Sequence, residues 1–202
     1  MKNQENYKKT FLLYLLKFAA AFCICYFGTI AVIGLSAGGN YYSKFVDQYF
    51  DYISWLRSSL LHGSKWLLSL LGYETWLADR YLLKLKGGGG ARIVYSCIGY
   101  GVMSFWIAFI FANKGTWLKK IKWILGGLFL IWCINILRIC LVLVATNKRW
   151  GIPLGFDHHT WFNIVAYILI FVLIYFFDKS NKIKRGNDIS LAKTSLSTIA
   201  KQ

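Results

Sequence analysis

The sequence predicts an all-α fold: a polytopic transmembrane helix bundle with about four clear spans, plus amphipathic or re-entrant helices between the first and second. Three observations predict it. Of 202 residues, 57% are hydrophobic, and several apolar runs exceed the roughly 18 residues that mark a membrane-crossing helix. Aromatic residues make up 18% of the chain and gather near the ends of those runs, as tryptophan and tyrosine do at a membrane–water interface. The formal charge of +16 is carried largely by lysines and arginines that flank the runs, with no basic-aromatic motif, so membrane lipids and not nucleic acid are the expected partners.

Taken in order, residues 1–10 form a short basic terminus and Phe11–Ser36 the first span. That run is too long for a signal-peptide core and reads as a retained helix, with Lys17 near enough to one end to snorkel outward. Residues 37–91 mix apolar and polar side chains. Phe45, Phe50, Ile53, Leu56 and Leu60, then Trp66, Leu67, Leu70 and Leu71, are spaced for amphipathic helices on or over the membrane. Ser54–Leu71 could instead dip into it as a hairpin, and His62, in the turn-like stretch HGSK, is given a surface role. The run Gly87–Gly90 lacks the strand and Lys-Ser/Thr context of a phosphate loop and reads as a flexible hinge. Three spans follow, Ile93–Ala112, Trp123–Ala145 and Trp161–Phe177, and from Asp178 a basic, polar tail is expected to be disordered.

Orientation follows from the basic residues. Lys2, Lys8 and Lys9, the Lys114–Lys122 loop, and Lys179, Lys182, Lys184 and Arg185 all fall on one side, which the positive-inside rule makes cytoplasmic. Residues 37–90 and 147–159 then face outward. The five cysteines, Cys23, Cys25, Cys97, Cys133 and Cys140, lie in apolar segments with no metal-site or disulfide spacing, so neither metal nor cofactor is expected.

One residue resists a structural explanation. Arg138 lies inside the third span, where a charge costs at least about 2.5–3.5 kcal/mol on insertion scales and is by default functional. At about 1.5 Å per residue, Cys97 lies roughly 6 Å and Arg138 roughly 10 Å below the outer ends of their spans. His158 and His159 stand at the outer mouth of the last span. A cation beside a thiol favours the nucleophilic thiolate, a guanidinium can hold an oxyanion, and an imidazole can carry the proton. Asn135, three residues before Arg138, could orient the guanidinium or join an oxyanion site, while Gly99 and Gly101 would let a substrate backbone approach. These residues alone leave three readings open: a membrane cysteine enzyme, a small transporter or anion channel using Arg138, and a structural partner subunit.

Three strings carry a resemblance. Tyr95-Ser96-Cys97-Ile98-Gly99 is similar to the nucleophile motif of the exosortase/archaeosortase membrane transpeptidases, Asn135-Ile136-Leu137-Arg138 to their Asn-x-x-Arg motif, and Asp157-His158-His159 to their Asp-His helix start. The match covers about Arg92–Phe177, in the family's order, and the short chain resembles Bacteroidetes-type relatives. Ile98 stands where the family carries a small polar residue. The glycine expected four residues after the histidine is Phe162 counted from His158 and Asn163 counted from His159, so both histidines remain candidates. The resemblance implies a multi-pass protein of the bacterial inner membrane, with residues 92–177 as catalytic core and its site on the outer side. Its partners would be exported proteins ending in a sorting signal, made of a short motif, a hydrophobic helix and a basic cluster. Cys97 would cleave near the motif and pass the acyl group from a thioester to water or to an amine, as on a lipid or glycan acceptor.

Overall fold

The computed structural model describes residues 2–38, 41–148 and 164–180. Helix α1 (Lys2–Ser36) is followed by the short α2 (Lys44–Tyr49) and by α3 (Tyr52–Leu70). Strands β1 (Thr75–Asp79), β2 (Leu82–Leu85) and β3 (Gly90–Arg92) come next, then a 3-10 turn (Tyr95–Cys97), α4 (Tyr100–Ala112) and α5 (Trp117–Asn147). A further helix, over 164–180, belongs to a second compact unit. The described chain is therefore mostly helical but not all-α.

Two helices are long and apolar enough to cross a membrane, α1 over Gln4–Ser36 and α5 over Trp117–Asn147. Helix α1 absorbs the basic N-terminal segment into its first turns and exposes Phe11, Leu12, Leu16, Ile24 and Phe27, as a lipid-facing helix would. It packs along α4 through rings, Phe18 edge-on to Phe105 and Tyr26 against Tyr100, both with centroids 5.4 Å apart. Lys119, Lys120 and Lys122 lie within α5 and not in a loop, so the α4–α5 connection shortens to residues 113–116. Across that connection Lys120 Nζ donates to the Phe111 carbonyl at 2.7 Å, satisfying an acceptor near the end of α4.

The stretch read as amphipathic helix, with a membrane-dipping hairpin as the alternative, is one continuous helix, α3, in which Asp51 accepts from the Ser54 N–H at 3.0 Å as N-cap. His62 is helical too, its Nδ1 2.8 Å from the Ser58 carbonyl. Ile53, Leu60, Leu61, Ser64 and Leu68 form the buried face of α3. They meet Leu83 and Leu85 of β2 and Ile136, Ile139, Cys140 and Leu143 of α5 in one apolar core. Gly63 permits this approach, because a Cβ there would overlap the Ile136 Cδ1. Alongside, Trp132 Nε1 of α5 donates to Ser59 Oγ of α3 at 3.0 Å.

The sheet is antiparallel in the order β1-β2-β3, with Thr75 opposite Leu85 and Leu83 opposite Ala91. Along β2, Leu83 and Leu85 turn into the core while Lys84 stays exposed, the period of two expected of a half-buried strand. Of the four glycines expected as a hinge, Gly87–Gly89 instead lie in the β2–β3 turn and Gly90 opens β3, and the Leu85 N–H donates to the Gly89 carbonyl at 3.0 Å. Gly88 and Gly89 lie against Asn147 and Thr146, which sets the sheet at the C-terminal end of α5. The ion pairs Lys86–Glu74 and Arg92–Asp79 are solvent-exposed and add little, about 1 kcal/mol or less each.

Candidate active site

The second apolar span is shorter than its sequence suggests, and this decides where Cys97 sits. Helix α4 begins at Tyr100, so Cys97 lies on the 3-10 turn that leads from the sheet into the helix, not one turn inside it. Its depth as a helical residue therefore has to be withdrawn. The physical reason is a set of competing partners. The Cys97 N–H donates to the Val94 carbonyl at 2.9 Å, and the Ile93 and Ile98 carbonyls accept from the Arg57 and Asn135 side chains at 2.6 and 2.8 Å, so these carbonyls serve partners other than the N–H groups of a longer α4. Gly99 then takes φ +77°, a left-handed conformation that a right-handed helix cannot include.

Asn135 fixes this turn from the neighbouring helix. Its side chain is 1% exposed, and its Nδ2 donates to the Ile98 carbonyl at 2.8 Å. A Cβ on Gly99 would lie 2.9 Å from that same nitrogen. A side chain on Gly99 would thus crowd Asn135, whereas a Cβ on Gly101 would stand in ordinary contact with the Tyr26 ring of α1. Ile98, the departure from the family motif, is fully buried in the core shared by α3, the sheet and α5. In this chain the residue after the cysteine anchors the turn by packing.

Arg138 lies one helical turn after Asn135, half-buried, and within electrostatic range of Cys97. Cys97 is itself half-buried against the core. Cys97, Gly99, Asn135 and Arg138 therefore share one neighbourhood, built by the turn before α4 and the C-terminal half of α5. Asp157, His158, His159 and Asn163 lie outside the described residues. Of the other cysteines, Cys140 is buried with its Sγ 3.5 Å from the Ser64 carbonyl, and Cys23 is exposed on α1. Sequence reasoning missed the sheet that delivers Cys97. The alternation Leu83-Lys84-Leu85-Lys86 beside the glycine run was the available signal.

The family model for transmembrane exosortase (EpsH) matches residues 20–176, and the chain belongs to that family. It is accordingly a membrane protein. No curated protein and no solved structure matches it.

Proposed function

We propose that this protein is a cysteine transpeptidase or protease that removes C-terminal sorting signals from exported proteins. The observation that carries the reading is the juxtaposition of Cys97, on a turn clamped by Asn135, with Arg138 within electrostatic reach. Membership of the exosortase family supports it independently.

In the proposed reaction the Cys97 sulfur bonds to the carbonyl carbon of a peptide bond near the recognition motif. The C–N bond breaks, and the thiol proton passes through His158 or His159 to the departing amine. Arg138 favours the thiolate and holds negative charge on sulfur or on the tetrahedral oxygen, which is strongest where water is scarce. An acceptor amine, as on a lipid or glycan, then attacks the thioester and the released thiolate takes up the amine proton. With water as acceptor the same step yields a free carboxylate. Four spans, cytoplasmic termini and an outward-facing site complete the proposal. The sheet and the 113–116 connection lying at opposite ends of α5 support that arrangement.

The test compares cells carrying wild type, Cys97→Ala or Arg138→Ala by mass spectrometry of the C-terminal peptides of exported proteins. A set of proteins should keep a hydrophobic, basic-ended tail in Cys97→Ala, and processing should fall by about 10²-fold or more in Arg138→Ala. Identical tails in wild type and in a folded, membrane-inserted Cys97→Ala protein would remove the reading.

A further inference from the structure

Arg57 is the other arginine that the fold takes out of water, and nothing in the reaction above uses it. It lies on the core-facing side of α3 and is only 7% exposed. Its guanidinium carbon stands 3.4 Å from the Tyr81 ring centroid and 4.4 Å from that of Tyr95, so the cation is held by two aromatic rings. One terminal nitrogen donates to the Ile93 carbonyl at 2.6 Å, while Nε is buried without a hydrogen-bond partner. Tyr81 is held in turn, its hydroxyl donating to Ser54 Oγ of α3 at 3.0 Å.

Burying an arginine among rings and one carbonyl is costly, since an imperfectly satisfied charge loses more hydration than a single bond returns. A core position on an amphipathic helix is filled more cheaply by leucine, as Leu60 and Leu61 illustrate on the same face. What leucine could not do is grip the segment 93–98. Tyr95 lies two residues before Cys97, and Ile93 opens the stretch that the Asn135–Ile98 bond closes. The cysteine turn is therefore fastened at its first carbonyl from α3 and at its last from α5. Between those two points, among the described residues, the backbone bonds are short internal ones, from the Cys97 N–H to Val94 and the Ile98 N–H to Tyr95.

We infer that Arg57 is a positioning residue for Cys97: stacked between Tyr81 and Tyr95 and bonded to Ile93, it holds the nucleophile's turn in register with Arg138. This rests on the proposed role of Cys97. The arrangement matters because a nucleophile displaced by about 1 Å can cost about 10²-fold in rate. Lysine at position 57 keeps the charge but loses the planar face and the second nitrogen, so it is not a conservative change here.

The experiment uses the full-length protein in detergent micelles and in cells. Amide hydrogen exchange over 93–99 and tail processing are measured for wild type, Arg57→Lys, Tyr95→Phe and Tyr95→Leu. Arg57→Lys should speed exchange in 93–99 while α4 and α5 keep their protection, and should slow processing by about 10- to 100-fold. Tyr95→Phe, which keeps the ring, should match wild type, and Tyr95→Leu should fall between the two. The leucine variant retains the Ile93 bond and so serves if the arginine variant does not fold. Faster exchange throughout the protein in both Arg57→Lys and Tyr95→Leu would overturn the inference, because Arg57 would then support the fold at large. Unchanged exchange and processing in Arg57→Lys would overturn it as well. Processing that persists in Cys97→Ala would instead sink the enzymatic reading, while the exchange arm still decides whether Arg57 holds the turn.

Discussion

At the scale of single residues, the neighbourhood of Cys97 is made by groups that would be poor choices anywhere else. Asn135 sits fully buried in an otherwise apolar stretch of α5, and it is tolerated because its Nδ2 meets the Ile98 carbonyl. Gly99 supplies both the positive φ and the space for that amide. Gly99→Ala would add backbone strain and crowd Asn135 at once, so a loss of about 1–3 kcal/mol is expected. Thermal unfolding of the detergent-solubilised protein reads the loss, and tail processing should fall with it. A variant with wild-type stability and activity would mean that Asn135 does not clamp the turn. The motif around Asn135 and Arg138 was legible from spacing alone, since i and i+3 share a helical face. That Asn135 holds a backbone carbonyl was not, because its partner lies 37 residues away in the chain.

At the scale of elements, α3 and α5 are joined by close contact at a glycine. Gly63→Ala would press a methyl group into Ile136 and should cost about 1–3 kcal/mol, as overpacking in a filled core does. Ile136→Ala removes the obstructing atoms, so the double variant should recover part of the Gly63→Ala loss. Strict additivity of the two changes, read by unfolding midpoints, would exclude direct contact at this point. The long apolar helices were legible because a membrane span is written locally, in some twenty consecutive side chains. The sheet was hidden by its brevity: β3 has three residues, and the glycine run that turns the chain resembles a linker. Its glycines are explained only by Thr146 and Asn147 of a distant helix. The start of α4 was misplaced for a related reason. Residues 93–99 are apolar enough for a span, and their partners in α3, α5 and the β1–β2 turn divert them from helix.

At the scale of the whole molecule, α5 orders the described part of the chain. It is roughly 45 Å long, more than the ~30 Å hydrocarbon thickness, and so is long enough to reach both membrane surfaces. The sheet sits at its C-terminal end and the 113–116 connection at its N-terminal end. With the proposed orientation, an impermeant thiol reagent applied to spheroplasts should label Lys84→Cys on exposed β2 and spare Lys114→Cys until the membrane is permeabilised. Labelling of both from outside would refute that topology, and labelling of Lys114→Cys alone would invert it.

By itself the sequence determined that this chain lives in a membrane and that Arg138 demands a partner. Those conclusions rest on composition, helical period and the cost of a charge in hydrocarbon, all of which are local properties. The tertiary structure alone decided that Cys97 rides a 3-10 turn, that a small sheet delivers it, and that Asn135 and Arg57 fasten the turn at its two ends. Hydrogen bonds from buried side chains to distant backbone carbonyls leave no periodic trace in a sequence. They exist only once α3 and α5 have packed.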